Sequence, residues 1–120
     1  MIHWSNMKTT TTAGGRSKFS YTGSLAEGFK LMFPSKPILI KSEIINSLLS
    51  AFKGQSVLGG FHATKSPEGS VGHYISTYQS NTMKSSLSPV YGSHIIGILR
   101  DLELVSVSKE KSSVVVKFSD

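Results

Sequence analysis

The stretch SPVYGSHIIGILRDL, residues 88–102, gathers several hydrogen-bonding groups on one helix-length segment. Arg100 is a planar donor able to grip a phosphate or the paired acceptors of a guanine. Ser88, Ser93 and His94 offer shorter donors and acceptors for phosphate or base edges. Gly97 has no side chain, so a backbone or a phosphate can come close. Tyr91 counts both with the apolar side of the segment and among the candidate contacts. Further along, Lys109 and Lys111 stand in a charged turn; Lys84 and Lys65 fall in earlier loops. Each lysine serves equally well as a solvated surface charge. Asp101 and Glu103 flank Arg100 and would pair with it or repel a polyanion.

Other chemistry has weaker sequence support. His62, His73 and His94 are eleven and twenty-one residues apart, which matches no compact metal-ligand motif. His62 with Glu68 lacks a third group for acid–base work. No G-x-S-x-G elbow is present, and Gly59-Gly60 is not followed by a phosphate-loop lysine motif. Seven carboxylates are scattered along the chain. The expectation is a protein without catalytic residues, cofactor or metal. There is no cysteine, which removes disulfides and thiol chemistry.

The elements that must position these groups follow from periodicity. Ser42 reads as the cap of a helix over 42–53, with Ile44, Ile45, Leu48, Leu49 and Phe52 on one face. Gly54 stands where a left-handed residue ends a helix. A short strand falls within 56–64. Ser66-Pro67 opens a second helix, beginning as late as Ser70, that carries Val71, Tyr74, Ile75 and Tyr78. Residues 79–87 read as a loop. Ser88-Pro89 starts the third helix, whose face is Tyr91, Ile95, Ile98, Leu99 and Leu102. At about 100° per residue, Ser93 and Arg100 then point outward, with Pro89, Ile96 and Gly97 beside them. Val105 and Val107, then Val114, Val116 and Phe118, alternate with polar residues as two strands around a charged tip.

The first 36 residues read differently. Residues 1–22 carry Lys8, Arg16 and Lys18, no acid and no period, so a mobile basic arm is expected. Ser24-Leu25-Ala26-Glu27 fits a capping box, followed by a short helix over 25–33. Its stripe of Leu25, Phe29, Met32 and Phe33 would need cover, and a homodimer through 25–33 would supply it.

The chain has 120 residues and a net charge of +6, which suits one domain and a polyanionic partner. No run approaches the ~20 apolar residues of a membrane span. The start MIHWSNMKTTTTAGG lacks a secretory pattern, so a cytoplasmic protein is expected, nucleoid-associated if prokaryotic.

The order helix, strand, helix, helix, strand, strand resembles the winged-helix branch of the helix-turn-helix proteins. The stretch SHIIGILRDLELVSVS carries the resemblance most specifically, through Ser93, Ile95, Ile96, Leu99, Arg100, Leu102, Glu103, Leu104 and Val105. The resemblance covers roughly 41–118. Two departures are the long loop over 79–87 and Glu103, which stands where such proteins often have glycine. It implies an α+β fold with a three-helix core and a C-terminal hairpin wing over 37–120, preceded by the 1–36 arm and short helix. It also implies double-stranded DNA as partner, with helix 88–102 in the major groove and the 109–111 wing on the backbone. The alternative is a winged helix used for protein contact in an assembly, with an RNA-binding role behind it.

Overall fold

In KFSYTGS and GFKLM, Phe19, Tyr21, Phe29 and Leu31 fall on alternate residues, and a strand turns such residues to one side. The computed structural model describes residues 7–15, 17–33, 37–62, 64–78, 88–110 and 113–119. There these four side chains are buried on one face of a four-stranded antiparallel sheet. Its strands are β1 (Lys8–Thr11), β2 (Lys18–Ser24), β3 (Gly28–Met32) and β4 (Ile38–Ile40), side by side in chain order. Thr10 lies opposite Phe19, Tyr21 opposite Leu31, and Phe29 opposite Ile40.

Within the described residues, strands thus replace the expected mobile arm over 1–22 and the expected helix over 25–33. A helix would set Phe29 and Leu31 about 200° apart, whereas a strand lets both enter one core. The Ser24 and Glu27 signal is real but has another use. The Glu27 amide donates to Ser24 Oγ at 3.1 Å, and the Ser24 hydroxyl donates to the Glu27 carboxylate at 3.3 Å. These bonds close a hairpin loop whose stem pairs Ser24 with Gly28. Gly28 holds a φ of 88°, a left-handed value that glycine adopts without strain. Phe29 is buried in the chain's own core, and Leu25 and Phe33 pack partly against it. The 25–33 stripe therefore gives no argument for a second copy.

The remainder follows the expected order: α1 (Ser42–Phe52), β5 (Ser56–Leu58), α2 (Val71–Thr77), α3 (Val90–Asp101), β6 (Val105–Glu110) and β7 (Ser113–Phe118). The last three strands form an antiparallel sheet in the order β5-β7-β6. The structure is therefore α+β, with three helices and two antiparallel sheets among the described residues. Ser42 is the first residue of α1 and Lys41 takes the cap position without a side-chain cap bond. Gly54, with φ at 72°, stands just past the helix as expected. The start of α2 is capped by Ser70, whose hydroxyl accepts from the His73 amide at 3.2 Å.

One hydrophobic cluster joins both sheets to the helices. Helix α3 lies at its centre, packed against α2, β6 and β1. Ile95, Ile98 and Leu99 are fully buried, as the periodicity requires. Ile96 and Gly97, expected on the outer side, are buried too. Burying one isoleucine contributes about 2 kcal/mol, so the packing that encloses Ile96 helps hold α3 in place.

Helix α3 ends in a Schellman turn. The Leu104 amide donates to the Leu99 carbonyl at 2.9 Å, and the Glu103 amide donates to Arg100 at 2.9 Å. Glu103 sits at the left-handed position with φ at 61°. The position thus keeps a glycine-type conformation while carrying a side chain. Glu103→Gly is expected to stabilise the protein by about 1 kcal/mol, raising Tm by about 4 °C in a thermal melt.

Candidate nucleic-acid interface

The outward side of α3 is not open. The turn between β1 and β2, residues 12–15, lies against it, closed by a Gly15 amide to Thr12 carbonyl bond of 2.8 Å. The Ala13 amide donates to the Ser93 carbonyl at 3.0 Å. A Cβ on Gly97 would run into the Thr11 carbonyl oxygen. Gly97 therefore lets a backbone approach, but the backbone belongs to the chain itself. Arg100 donates to the carbonyls of Thr11 at 3.1 Å, Ala13 at 3.3 Å and Thr12 at 3.4 Å, and to Thr11 Oγ1 at 2.7 Å. Its guanidinium is spent on the hairpin.

Asp101 does not serve as a simple repulsive charge beside Arg100. It accepts from Thr10 Oγ1 at 2.8 Å and from the Tyr21 hydroxyl at 3.3 Å. Burial, and then the Asp101 carboxylate, push the Tyr21 phenol up to about 12, so it remains a donor.

The side of α3 expected to enter a major groove is occupied by the chain's own hairpin. A helix about 10–12 Å across already fills a groove about 12 Å wide. With a strand and its turn against Gly97 and Arg100, that side of the helix has no room for a groove wall. Gly97 and Arg100, expected to face DNA, fasten the hairpin instead; Ser93 does so through its backbone carbonyl, and the residue still borders open space.

His94 is also enclosed. Its ring lies 4.9 Å from Phe19, 5.4 Å from Phe33 and 5.9 Å from Tyr91, measured between centroids. Nδ1 is buried and makes no hydrogen bond by distance and angle. Burial pushes the imidazole below its ordinary value, and the Val90 carbonyl opposes this only in part. Tyr91 is half-buried in the same aromatic group. Ser88 is exposed, and its hydroxyl accepts from the Val90 amide at 3.4 Å, at the start of α3.

Three of the expected contacts do meet. Lys65, Lys109 and the side of α3 at Ser93 border one cleft of about 550 Å³. One wall is the β6–β7 hairpin, through Lys109, Ser113 and Val114; another is the loop after β5; a third is the turn at Thr12 and Gly14. Lys65 and Lys109 are exposed, and no carboxylate is found among the described lining residues. Lys84 and Lys111 lie outside the described residues.

The loop after β5 brings residues that the sequence pattern left aside as a site. Phe61 is half-buried, with its ring against Gly92 of α3. Leu58 stays 44 % exposed at the rim. A tight turn joins the Lys65 amide to the His62 carbonyl at 3.2 Å. His62 Nδ1 accepts from the Thr64 amide at 3.2 Å, which places the proton of the neutral ring on Nε2 as a donor. The usable signal was FHATK itself: an aromatic, a histidine and a lysine in a glycine-led loop.

Among the described residues, no three metal-ligating side chains come together, and no helix is long and apolar enough to cross a membrane. Comparison of the chain with known family models, curated proteins and solved structures finds no match.

Two outcomes follow from this geometry. Arg100→Ala is expected to lower stability by about 2–3 kcal/mol in urea denaturation, with faster amide exchange over residues 12–15 in particular. His94 is held neutral in the fold and titrates at its ordinary value when unfolded. Its contribution is full above about pH 6.5 and is lost as pH falls through that value toward the lower folded pKa. Thermal melts at successive pH values should show Tm falling below that point, and His94→Phe should flatten the fall.

Proposed function

We propose that residues 42–118 form a winged-helix domain that binds DNA by its phosphate backbone at the cleft beside the wing. The order α1-β5-α2-α3-β6-β7 supports the fold reading, as does the placing of β7 between β5 and β6. The observation that carries the functional reading is the meeting of Lys65, His62 and Lys109 at one cleft with no described carboxylate in its lining. Two cations and an imidazole donor face one space, and a polyanion is the partner that chemistry selects.

In this reading the wing supplies Lys109 and the loop after β5 supplies Lys65 and His62. Such contacts hold the backbone and set its path without reading its sequence. Insertion of α3 is no part of the proposal, because the hairpin turn holds its outer face. The net charge of +6 favours encounter with any nucleic acid.

One observation favours a second reading, a winged helix used for protein contact. Strand β4 lies at the edge of the first sheet, and Leu39 on it is 68 % exposed. An edge strand with an exposed apolar side chain suits pairing with another chain. Sedimentation of the purified protein with and without Leu39→Lys separates the readings. Loss of a defined oligomer in the variant supports protein contact.

For DNA binding, fluorescence anisotropy with a labelled oligonucleotide is the direct measurement. Affinity for duplex is expected to fall steeply as salt rises from about 50 to about 200 mM. Lys65→Ala with Lys109→Ala should weaken binding and reduce the slope of log affinity against log salt by about 1.8. Identical affinity and slope in the double variant would sink the cleft as the DNA site.

A further inference from the structure

The cleft has a shape and a lining that backbone contact alone does not need. Its volume of about 550 Å³ lies in the range of small-ligand sites, about 300–1,000 Å³, and one side is open to solvent. A space of that volume cannot take in a duplex. Its lining is mixed rather than uniformly charged. Phe61 and Val114 are half-buried, and Leu58 is an exposed apolar rim. The hydroxyl-bearing Ser93 and Ser113 also border the space, and Lys65 and Lys109 are exposed at it.

We infer that the cleft receives one unpaired nucleotide of a DNA strand, with its base against the apolar lining and its phosphate at Lys65 and Lys109. This deepens the proposed function and rests on it. A base stacked inside a duplex presents neither face, so only a single-stranded or swung-out nucleotide can use an apolar pocket. Proteins that hold unpaired strands combine this pair of features, cations along the backbone and apolar or aromatic surface for the base. His62 adds a directed donor, because its Nδ1 is already taken by the Thr64 amide. The serine hydroxyls serve as donors or acceptors toward a base edge.

The closed face of α3 argues in the same direction. The turn that blocks duplex reading by α3 also forms a wall of the cleft, through Thr12 and Gly14. The hairpin therefore removes one mode of DNA contact and builds part of another. The turn is bound to α3 through Ala13 and Arg100, so this wall is held in position before any ligand arrives.

The test compares three labelled DNAs of one sequence with the full chain: a single strand, a fully paired duplex, and a duplex with one central mismatch. The single strand is expected to bind about tenfold more tightly than the paired duplex, and the mismatched duplex to fall between them. Leu58→Glu places a carboxylate at the exposed rim without touching the core. It should cancel the preference for unpaired DNA, and an unchanged melting temperature would confirm that its fold is intact. Phe61→Leu, which keeps an apolar side chain in the loop, should lower single-strand affinity more than duplex affinity. If the paired duplex binds as tightly as the single strand and still depends on Lys65 and Lys109, the nucleotide pocket is overturned and backbone binding stands. If none of the three DNAs binds, both readings fall together. Preference for the single strand alone, with no gain at the mismatch, supports the pocket and assigns it to free strands rather than swung-out bases.

Discussion

Arg100 donates to the three successive carbonyls of Thr11, Thr12 and Ala13, at the end of β1 and the start of the turn that follows. A planar guanidinium with donors on several edges suits that task; a lysine ammonium would not span the same set. The contact couples the far ends of the chain, since Arg100 is almost ninety residues from the turn it holds. It works only because Gly97 leaves room for the Thr11 carbonyl one turn earlier on the helix. Without this clasp, β1 and its turn would lose their hold on α3 at Gly97 and Arg100. The two sheets of the molecule meet through that helix.

The same clasp shapes the candidate site. By covering α3, the hairpin takes away the surface that a groove-reading helix would use. By presenting Thr12 and Gly14 toward the wing, it encloses a cleft that helix and wing alone would leave open. His94 lies beside this packing as a half-buried imidazole, its Nδ1 buried without a hydrogen bond among three aromatic rings. Such a group favours the fold while neutral and opposes it once protonated. The core beside the proposed DNA site therefore has a built-in sensitivity to acid.

Much of the C-terminal two-thirds was legible residue by residue. Ile44, Ile45 and Leu48 keep the helical period of α1, and Ile95, Ile98 and Leu99 that of α3; all six are fully buried. Gly54 marks the end of α1, and the alternation of Val105, Val116 and Phe118 marks the last hairpin. The N-terminal strands were misread because two signals pointed to a helix. The Ser24 and Glu27 pair bonds the same way in a hairpin loop as near a helix start, and Phe29 with Met32 and Phe33 is helical by spacing alone. Alternation in Phe19, Tyr21, Phe29 and Leu31 was the competing signal, and burial of all four in the common core decided in its favour. Of the site, Lys65 and Lys109 were visible as cations, but neither carries information about the other's position.

What the sequence by itself determined is the local part: the helices and the last hairpin, the turn glycines, the excess of positive charge and the absence of thiol chemistry. These depend on periods of a few residues, which short stretches express completely. Tertiary structure alone decided which side of α3 faces water. An amphipathic pattern names the face that must be buried, but it does not protect the other face from being buried as well. That outcome required a strand eighty residues earlier, a glycine small enough to admit it, and an arginine to hold its carbonyls. The cleft arose from the same long-range pairing, because its walls come from three segments that no local rule relates.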